Sequence, residues 1–319
     1  MIFYVDFACH LTILLQCEII SFAVYYMLMI TTNHHQELQL LIKQALHEDV
    51  PAGDVTVQCL GLSNTQTEAT LIARQPGLFF GVDIIQAIVA MVDPPIKYEC
   101  LVGDGAPFMA NQPLCVFQGD LSRLLQLERV MLNLIQHLSG VATRTSEFVS
   151  ALDNPEIDVL DTRKTTPGLR FLEKQAVCAG GGKNHRHSLS DMVLIKENHL
   201  RCFLAEFSLS ELEIHLEAFR HLNPNILIEV EIESYDQLRH FPLSPVQIVL
   251  LDNFDLADLP NAISFLQKQY PHILIEVSGN VTLESIRQYR PFEIHRISVG
   301  ALTHSVPIVN MSLLFKEDG

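Results

Sequence analysis

IDVLDTRKTTPGLRFLEKQAVCAGGGKNHRHSLSDMVLIK, residues 157–196, decides the fold. It is bracketed by IDVLD (157–161) and MVLIK (192–196), two short apolar runs that each end on a charged residue. Four more runs of this kind follow: ILIEVE (226–231), IVLLD (within 247–252), ILIEVS (273–278) and RISVG (296–300). Near-continuous Ile, Val and Leu marks strands buried on both faces, hence a parallel sheet. Helical segments lie between the strands, notably 210–221, 255–269 and 281–289. The α/β rhythm predicts an incomplete TIM-like barrel of six or seven parallel strands over 139–304. No GxGxxG opens a helix, so dinucleotide binding has little support.

The last residue of each strand is Asp161, Lys196, Glu231, Asp252, Ser278 or Gly300. A ring of polar, charged or Gly residues at one end of a barrel is the layout of an active site. Charge points to the same place. The chain carries 21 Lys+Arg against 37 Asp+Glu, a net charge of -16, yet eight of those cations fall between Arg163 and Arg201. A cationic island in an acidic protein points to a small, highly anionic ligand. Nucleic acid would need a broader basic face. Arg163, Lys164 and Lys196 stand at strand ends and are assigned to the ligand; Arg170 and Lys174 are read as surface salt bridges. Glu231 and Asp252 offer oxygen ligands for a divalent metal shared with phosphate oxygens. Glu229 points to the same strand face as Glu231 and is either structural or a further carboxylate. Ser278-Gly279-Asn280 and Gly300-Ala301 are small-residue turns where backbone N–H groups can approach a phosphate.

Upstream, 31–138 reads as an N-terminal α+β sandwich domain, with the tail 305–319 expected to pack on it. An amphipathic helix is expected over 36–47, strand-like runs over 69–81, 96–103 and 114–119, and a helix near 83–91. The helix 121–138 carries an apolar stripe of Leu124, Leu127, Met131, Leu134 and Leu138. Opposite it stand Gln126, Arg129, Asn133 and Gln136, a face with one cation and otherwise amides, suited to a cleft or a subunit contact. Residues 1–30 form an apolar leader without Lys or Arg. Its 11–30 segment is long enough for a bilayer, but it lacks a positive n-region and carries Glu18, which argues against a signal peptide and against a membrane role. The expected reading is an over-extended frame with the start at Met27 or Met29; the alternative is an apolar helix that packs on the body. Seven scattered cysteines without CxxC indicate reduced thiols and a cytoplasmic setting, with Cys178 near the site and expected to be simply buried.

These residues carry a resemblance. From about 36 to 310 the chain resembles the quinolinate phosphoribosyltransferase family, through ERVMLNLIQHLSGVAT, DTRKTTPGLR, GGGKNHR, LIKENH, EVEIES, LLDNF, SGNVTLESI and SVGALTHS, in that order. One departure is Ser188, where the family usually has Gly. The resemblance implies transfer of phosphoribose from phosphoribosyl pyrophosphate to quinolinate, giving nicotinate mononucleotide, pyrophosphate and carbon dioxide in NAD biosynthesis. It implies that Arg163, His185 and Arg186 hold the pyridine dicarboxylate and that Lys164 and Lys196 contact both substrates. Glu231 and Asp252 would bind ribose hydroxyls and Mg2+. Ser278, Gly279, Asn280 and Gly300, with His304 nearby, would hold the 5-phosphate. It further implies a homodimer in which Arg129 reaches the neighbouring subunit's site. Three rivals stand beside it. A nicotinate phosphoribosyltransferase-like enzyme needs no second carboxylate site. A non-catalytic binder of phosphoribosyl metabolites has less need of Glu231 and Asp252. A Schiff-base role for Lys196 fits the neighbouring cations and carboxylates poorly.

Overall fold

The computed structural model describes residues 35–63 and 65–316. The leader 1–30 and the expectation about the start lie outside the described residues. Among the described residues no helix is long and apolar enough to cross a membrane.

Helices α1 (35–49) and α2 (Val55–Leu60) precede strands β1 (Gln66–Ala73) and β2 (Gly77–Leu78), helix α3 (Val82–Val89), strands β3 (Lys97–Cys100), β4 (Pro107–Phe108) and β5 (Pro113–Asp120), and helix α4 (Leu121–Leu152). Next come β6 (Asp158–Leu160), α5 (Arg170–Ala179), β7 (Val193–Ile195), α6 (Glu197–Leu204), α7 (Leu209–Leu222), β8 (Ile228–Ile232) and α8 (Tyr235–His240). The chain continues through β9 (Ile248–Asp252), α9 (Leu259–Gln269), β10 (Leu274–Ser278), a 3-10 turn (Ile286–Tyr289), β11 (Arg296–Ser298), α10 (Ala301–His304) and β12 (Met311–Phe315). The described residues divide into two compact units. One holds the residues up to Glu68 with Asp83–Lys97 and Gln118–Met131; the other holds Ala69–Val82, Tyr98–Phe117 and the residues from Leu132 on.

The expected α/β architecture is the one observed. Six parallel strands run in the order β6-β11-β10-β9-β8-β7, and the two edge strands β6 and β7 are not joined, so the barrel is incomplete. A seventh strand is reduced to one parallel bridge, Leu160 to Lys183, on the free side of β6. Ile228, Val230 and Ile232, and Ile248 through Leu251, are all buried, as strands covered on both faces must be. A second sheet of four strands runs in the order β12-β1-β5-β3. In it β12 pairs antiparallel with β1, Leu71 opposite Leu313, and both are buried.

Three local expectations change. Helix α4 runs to Leu152 without a break; its expected apolar stripe is buried, and Arg129 and Asn133 are exposed. Gln136, expected on the amide face, is buried instead: its Oε1 accepts from Met311 N at 3.2 Å and its carbonyl from Val309 N at 3.1 Å. The helix expected over 281–289 is only a 3-10 turn, preceded by a box in which the Thr282 and Ser285 hydroxyls each take the other residue's backbone N–H, at 3.1 and 2.8 Å.

Candidate active site

The C-terminal ends of the parallel strands gather on one side because the strands share a direction, and alternate residues face inward. A cavity of about 290 Å3 opens there. Arg163, Lys164, His185, Arg186, Lys196 and Ser278 line it, with Leu194 and Leu250 as apolar walls. Arg163, Lys164 and Arg186 form no carboxylate ion pair among the described residues, and Arg163 Nε is buried without a hydrogen-bond partner there. Burial lowers the affinity of the Arg186 guanidinium for its proton, and the positive charge of Arg163 lowers it further. The pocket thus concentrates cations that repel one another, a state that an anion relieves.

The loop that brings His185 and Arg186 here is tied to the end of β6. Asp161 and Lys174 form a fully buried ion pair. Asp161 also accepts from His185 N at 2.9 Å, and Lys174 Nζ donates to His185 O at 2.9 Å. The Asn184 amide nitrogen completes the knot, facing Asp161 Oδ2 at 2.6 Å and Lys174 O at 3.0 Å. Burial pushes the Asp161 carboxyl up and the Lys174 ammonium down, and their mutual attraction opposes both shifts. Lys174 is therefore not the surface salt bridge expected of it. Arg170 is not one either: its guanidinium donates to Thr165 Oγ1 at 3.0 Å and to His187 O at 3.1 Å. Gly180 lets the loop leave α5, since a Cβ there would stand 2.3 Å from Ala142 O on α4. Cys178, expected to be buried, is exposed.

Below the mouth lies a buried ionic layer. His185 Nε2 faces Glu229 Oε2 at 3.1 Å and Glu276 Oε1 at 3.5 Å, and Arg296 Nη1 faces Glu276 Oε2 at 3.6 Å. The three ligand atoms of His185, Glu229 and Glu276 lie within 4.8 Å of one another, as at a metal centre. The imidazole argues otherwise. Its Nδ1 accepts from Arg186 N at 2.7 Å, so the ring proton sits on Nε2 and leaves no lone pair for a metal. Burial also depresses the His185 pKa, which keeps the ring neutral. Burial raises both Glu229 and Glu276 to about 7. Glu229 is thus a carboxylate of the core, out of reach of solvent.

A second carboxylate group stands at the rim. Glu231 forms an ion pair with Lys196, and carboxylate oxygens of Glu231, Glu233 and Asp252 lie within 4.8 Å of one another. The turn after β10 is built for close approach: Gly279 has φ +106°, and a Cβ on it would stand 2.3 Å from Asn253 Oδ1. Asn280 Nδ2 donates to the same Asn253 Oδ1 at 3.2 Å. Gly300, the side chain of His304 and that of Lys164 converge, since a Cβ on Gly300 would meet the latter two at 3.0 and 3.1 Å.

Comparison with known proteins gives this site a family. Residues 54–139 match the model of the quinolinate phosphoribosyl transferase N-terminal domain, and 141–314 match that of its C-terminal domain. The chain belongs to the quinolinate phosphoribosyl transferase family. It is 38% identical over 275 residues to a nicotinate-nucleotide pyrophosphorylase [carboxylating] of Mycobacterium leprae, covering 85% of this chain and 95% of that one. A probable enzyme of the same name from Bacillus subtilis is 37% identical, over 88% of this chain and 94% of the relative. Among solved structures, the nicotinate-nucleotide pyrophosphorylase from Francisella tularensis aligns with TM-score 0.80 at 32% identity, over 88% of this chain and 97% of that one.

Of the residues singled out in the sequence, Arg163, Lys164, His185, Arg186, Lys196 and Ser278 share the cavity. Glu231 and Asp252 join one another, Gly279 and Asn280 occupy the turn after β10, and Gly300 and His304 stand at the start and end of α10, which follows β11. Arg129 is exposed on α4 within the other compact unit. Sequence reading missed Glu233, Glu276, Arg296 and the Asp161–Lys174 pair. Glu233 had a signal, since it continues the alternation of Glu229 and Glu231. At the position where the family usually has Gly, Ser188 has no positive φ and instead bonds Asp191 through its hydroxyl and its N–H, the latter at 3.0 Å.

The ionic layer predicts a pH dependence of stability. Glu276 has a folded pKa of about 7 against an ordinary 4.5, so the folded chain holds a proton that the unfolded chain releases. Its contribution to stability is complete below the ordinary value and is lost as pH rises through about 7. A shift of this size corresponds to about 3 kcal/mol. Denaturant unfolding of wild type should therefore weaken between about pH 5 and about pH 8. Glu276→Gln, which cannot ionise, should show a flatter profile; an unchanged slope would remove Glu276 as its source.

Proposed function

We propose that the chain transfers phosphoribose from phosphoribosyl pyrophosphate to quinolinate, giving nicotinate mononucleotide, pyrophosphate and carbon dioxide, in the synthesis of NAD. The observation that carries this reading is the crowding of Arg163, Lys164, Arg186 and Lys196 around one small cavity in a protein of net charge -16. Both substrates are polyanions. Arg163 and Arg186 hold the two ring carboxylates, because a planar guanidinium can take a carboxylate bidentately. His185, whose Nδ1 accepts from Arg186 N, borders the ring and positions Arg186 through that backbone N–H. Lys164 and Lys196 stand between the substrates. Ser278, Gly279, Asn280 and Gly300, with His304, form the cradle for the 5-phosphate.

Glu231 and Asp252, joined by Glu233, are hard oxygen donors close enough to share a cation, and they fit magnesium. When bound, that ion supplies charge neutralisation at the pyrophosphate. Glu231 is already oriented by Lys196 and is placed to receive the ribose hydroxyls. As pyrophosphate departs, the ribosyl carbon becomes oxocarbenium-like and the pyridine nitrogen attacks it. The product ring nitrogen is cationic. It stabilises the electron pair left on the adjacent ring carbon when the carboxylate leaves as carbon dioxide, and that carbon then takes a proton. The reaction needs no covalent nucleophile. The side chains position and stabilise charge, and positioning alone can contribute about 7–11 kcal/mol. A nicotinate-specific enzyme would have no use for the second guanidinium. We place the enzyme in the cytoplasm on its scattered, CxxC-free cysteines.

Incubation with quinolinate, phosphoribosyl pyrophosphate and magnesium should yield nicotinate mononucleotide; no product from folded protein would overturn the reading. Arg163→Ala and Arg186→Ala should each raise the KM for quinolinate far more than that for phosphoribosyl pyrophosphate, by a charge-assisted bond of about 1.5–3 kcal/mol. Loss mainly of the phosphoribosyl substrate would reverse the assigned roles.

Arg129 is assigned to the site of a second subunit in a homodimer. Arg129→Ala and Lys196→Ala chains should be nearly inactive alone. After mixing and exchange, activity should return toward about a quarter of wild type, since one site of each mixed dimer is intact. Exchange confirmed by tagged-chain capture, without recovery, would confine Arg129 to its own chain.

A further inference from the structure

Cys100 and Cys115 lie on neighbouring strands, β3 and β5, and take no part in the chemistry above. Leu101 N donates to Leu114 O at 2.9 Å, so one step along the antiparallel ladder Cys100 stands opposite Cys115. That step is a non-hydrogen-bonded pair, where facing Cα atoms are closest, typically about 4.5 Å apart. Such a spacing lies inside the range a disulfide spans, roughly 4.4–6.8 Å. The two sulfurs are already 3.5 Å apart. Rotation of the side chains closes the remaining gap with the strands left in place.

The thiols are unequal. Cys115 is fully buried and Cys100 is partly exposed. The S–H···S contact, which either sulfur can donate, favours the Cys100 thiolate against burial and the nearby Asp104, while the same contact and burial push the Cys115 thiol up. Cys100, the more exposed residue of the pair, is therefore the one a small oxidant reaches first, with Cys115 behind it.

We propose that Cys100 and Cys115 form a reversible dithiol–disulfide site that responds to peroxide. The Cys100 thiolate attacks one peroxide oxygen, the O–O bond breaks, and the departing hydroxide takes a proton to become water. Cys100 is now a sulfenic acid. The Cys115 sulfur attacks that sulfur, the S–O bond breaks, and the hydroxyl leaves with the Cys115 proton as a second water. Two thiols and one hydrogen peroxide give one disulfide and two waters; the sulfurs are oxidised and the peroxide oxygens reduced. A thiol reductant reverses the bond by exchange. The link has a structural consequence, because among the described residues β3 is the edge strand of its sheet, next to β5. Just beyond it, Asp104 accepts from Gly81 N at 2.7 Å, and Gly105 packs so closely on the end of α5 that a Cβ would stand 2.9 Å from Ala179 O. Oxidation fastens the hairpin that abuts the start of the Gly180–Arg186 loop.

The test is independent of the proposed activity. Full-length reduced protein is exposed to hydrogen peroxide, alkylated and digested with trypsin; both cysteines fall in the single peptide Tyr98–Arg123. That peptide should appear unalkylated and two hydrogens lighter, dithiothreitol should restore both alkylations, and the oxidised protein should melt at a higher temperature. Cys115→Ser should lose the link and leave a sulfenic acid on Cys100 that dimedone traps. Full alkylation of both residues while Cys59, Cys178 or Cys202 oxidises would overturn the proposal. So would a link from Cys100 to any other cysteine, or a Cys115→Ser protein that gives no dimedone adduct.

Discussion

The buried pair of Lys174 and Asp161 is the interaction on which the site depends. Burying two charges is costly, and it is tolerated when geometry and further hydrogen bonds satisfy both ions. Here the backbone of His185 binds both partners, and the Asn184 amide binds the carboxylate. One point at the end of β6 therefore holds helix α5 and the loop that delivers His185 and Arg186. Removing either partner would leave an uncompensated buried charge, a loss of about 3–5 kcal/mol in comparable pairs.

With the loop fixed, the barrel mouth divides by charge. Arg163, Lys164 and Arg186 form a cationic half, and Glu231, Glu233 and Asp252 form an acidic half. Lys196 and Glu231 are the seam between them. Under the mouth, Glu229, Glu276, His185 and Arg296 place a polar layer where a barrel of this size would otherwise carry apolar side chains. The arrangement suits the proposed pair of substrates, a dicarboxylate on one side and a metal-bound pyrophosphate on the other.

Much of this was legible in the sequence, because buried parallel strands write themselves as Ile, Val and Leu runs and their last residues mark the mouth. Arg163, Lys196, Glu231 and Asp252 were found by position alone. Lys174 was misread because charge along a helix is usually solvated, and nothing local shows that a carboxylate waits 13 residues away at a strand end. Gln136 was misplaced for a similar reason: its partner, Met311, is 175 residues distant. Glu276 sits inside ILIEVS, where a charge in an apolar run signals a buried role, but its partners His185 and Arg296 come from other segments. Long-range pairing of polar groups is set by the fold and leaves little trace in the surrounding residues.

The central claim is that two guanidiniums in one pocket await a dicarboxylate. A ligand that binds only the folded state raises the melting temperature according to its affinity. Thermal unfolding in matched concentrations of quinolinate and nicotinate, the same ring with one carboxylate fewer, measures this directly. The expected result is a clear upward shift with quinolinate and a much smaller one with nicotinate. Equal shifts, or none with quinolinate, would contradict it.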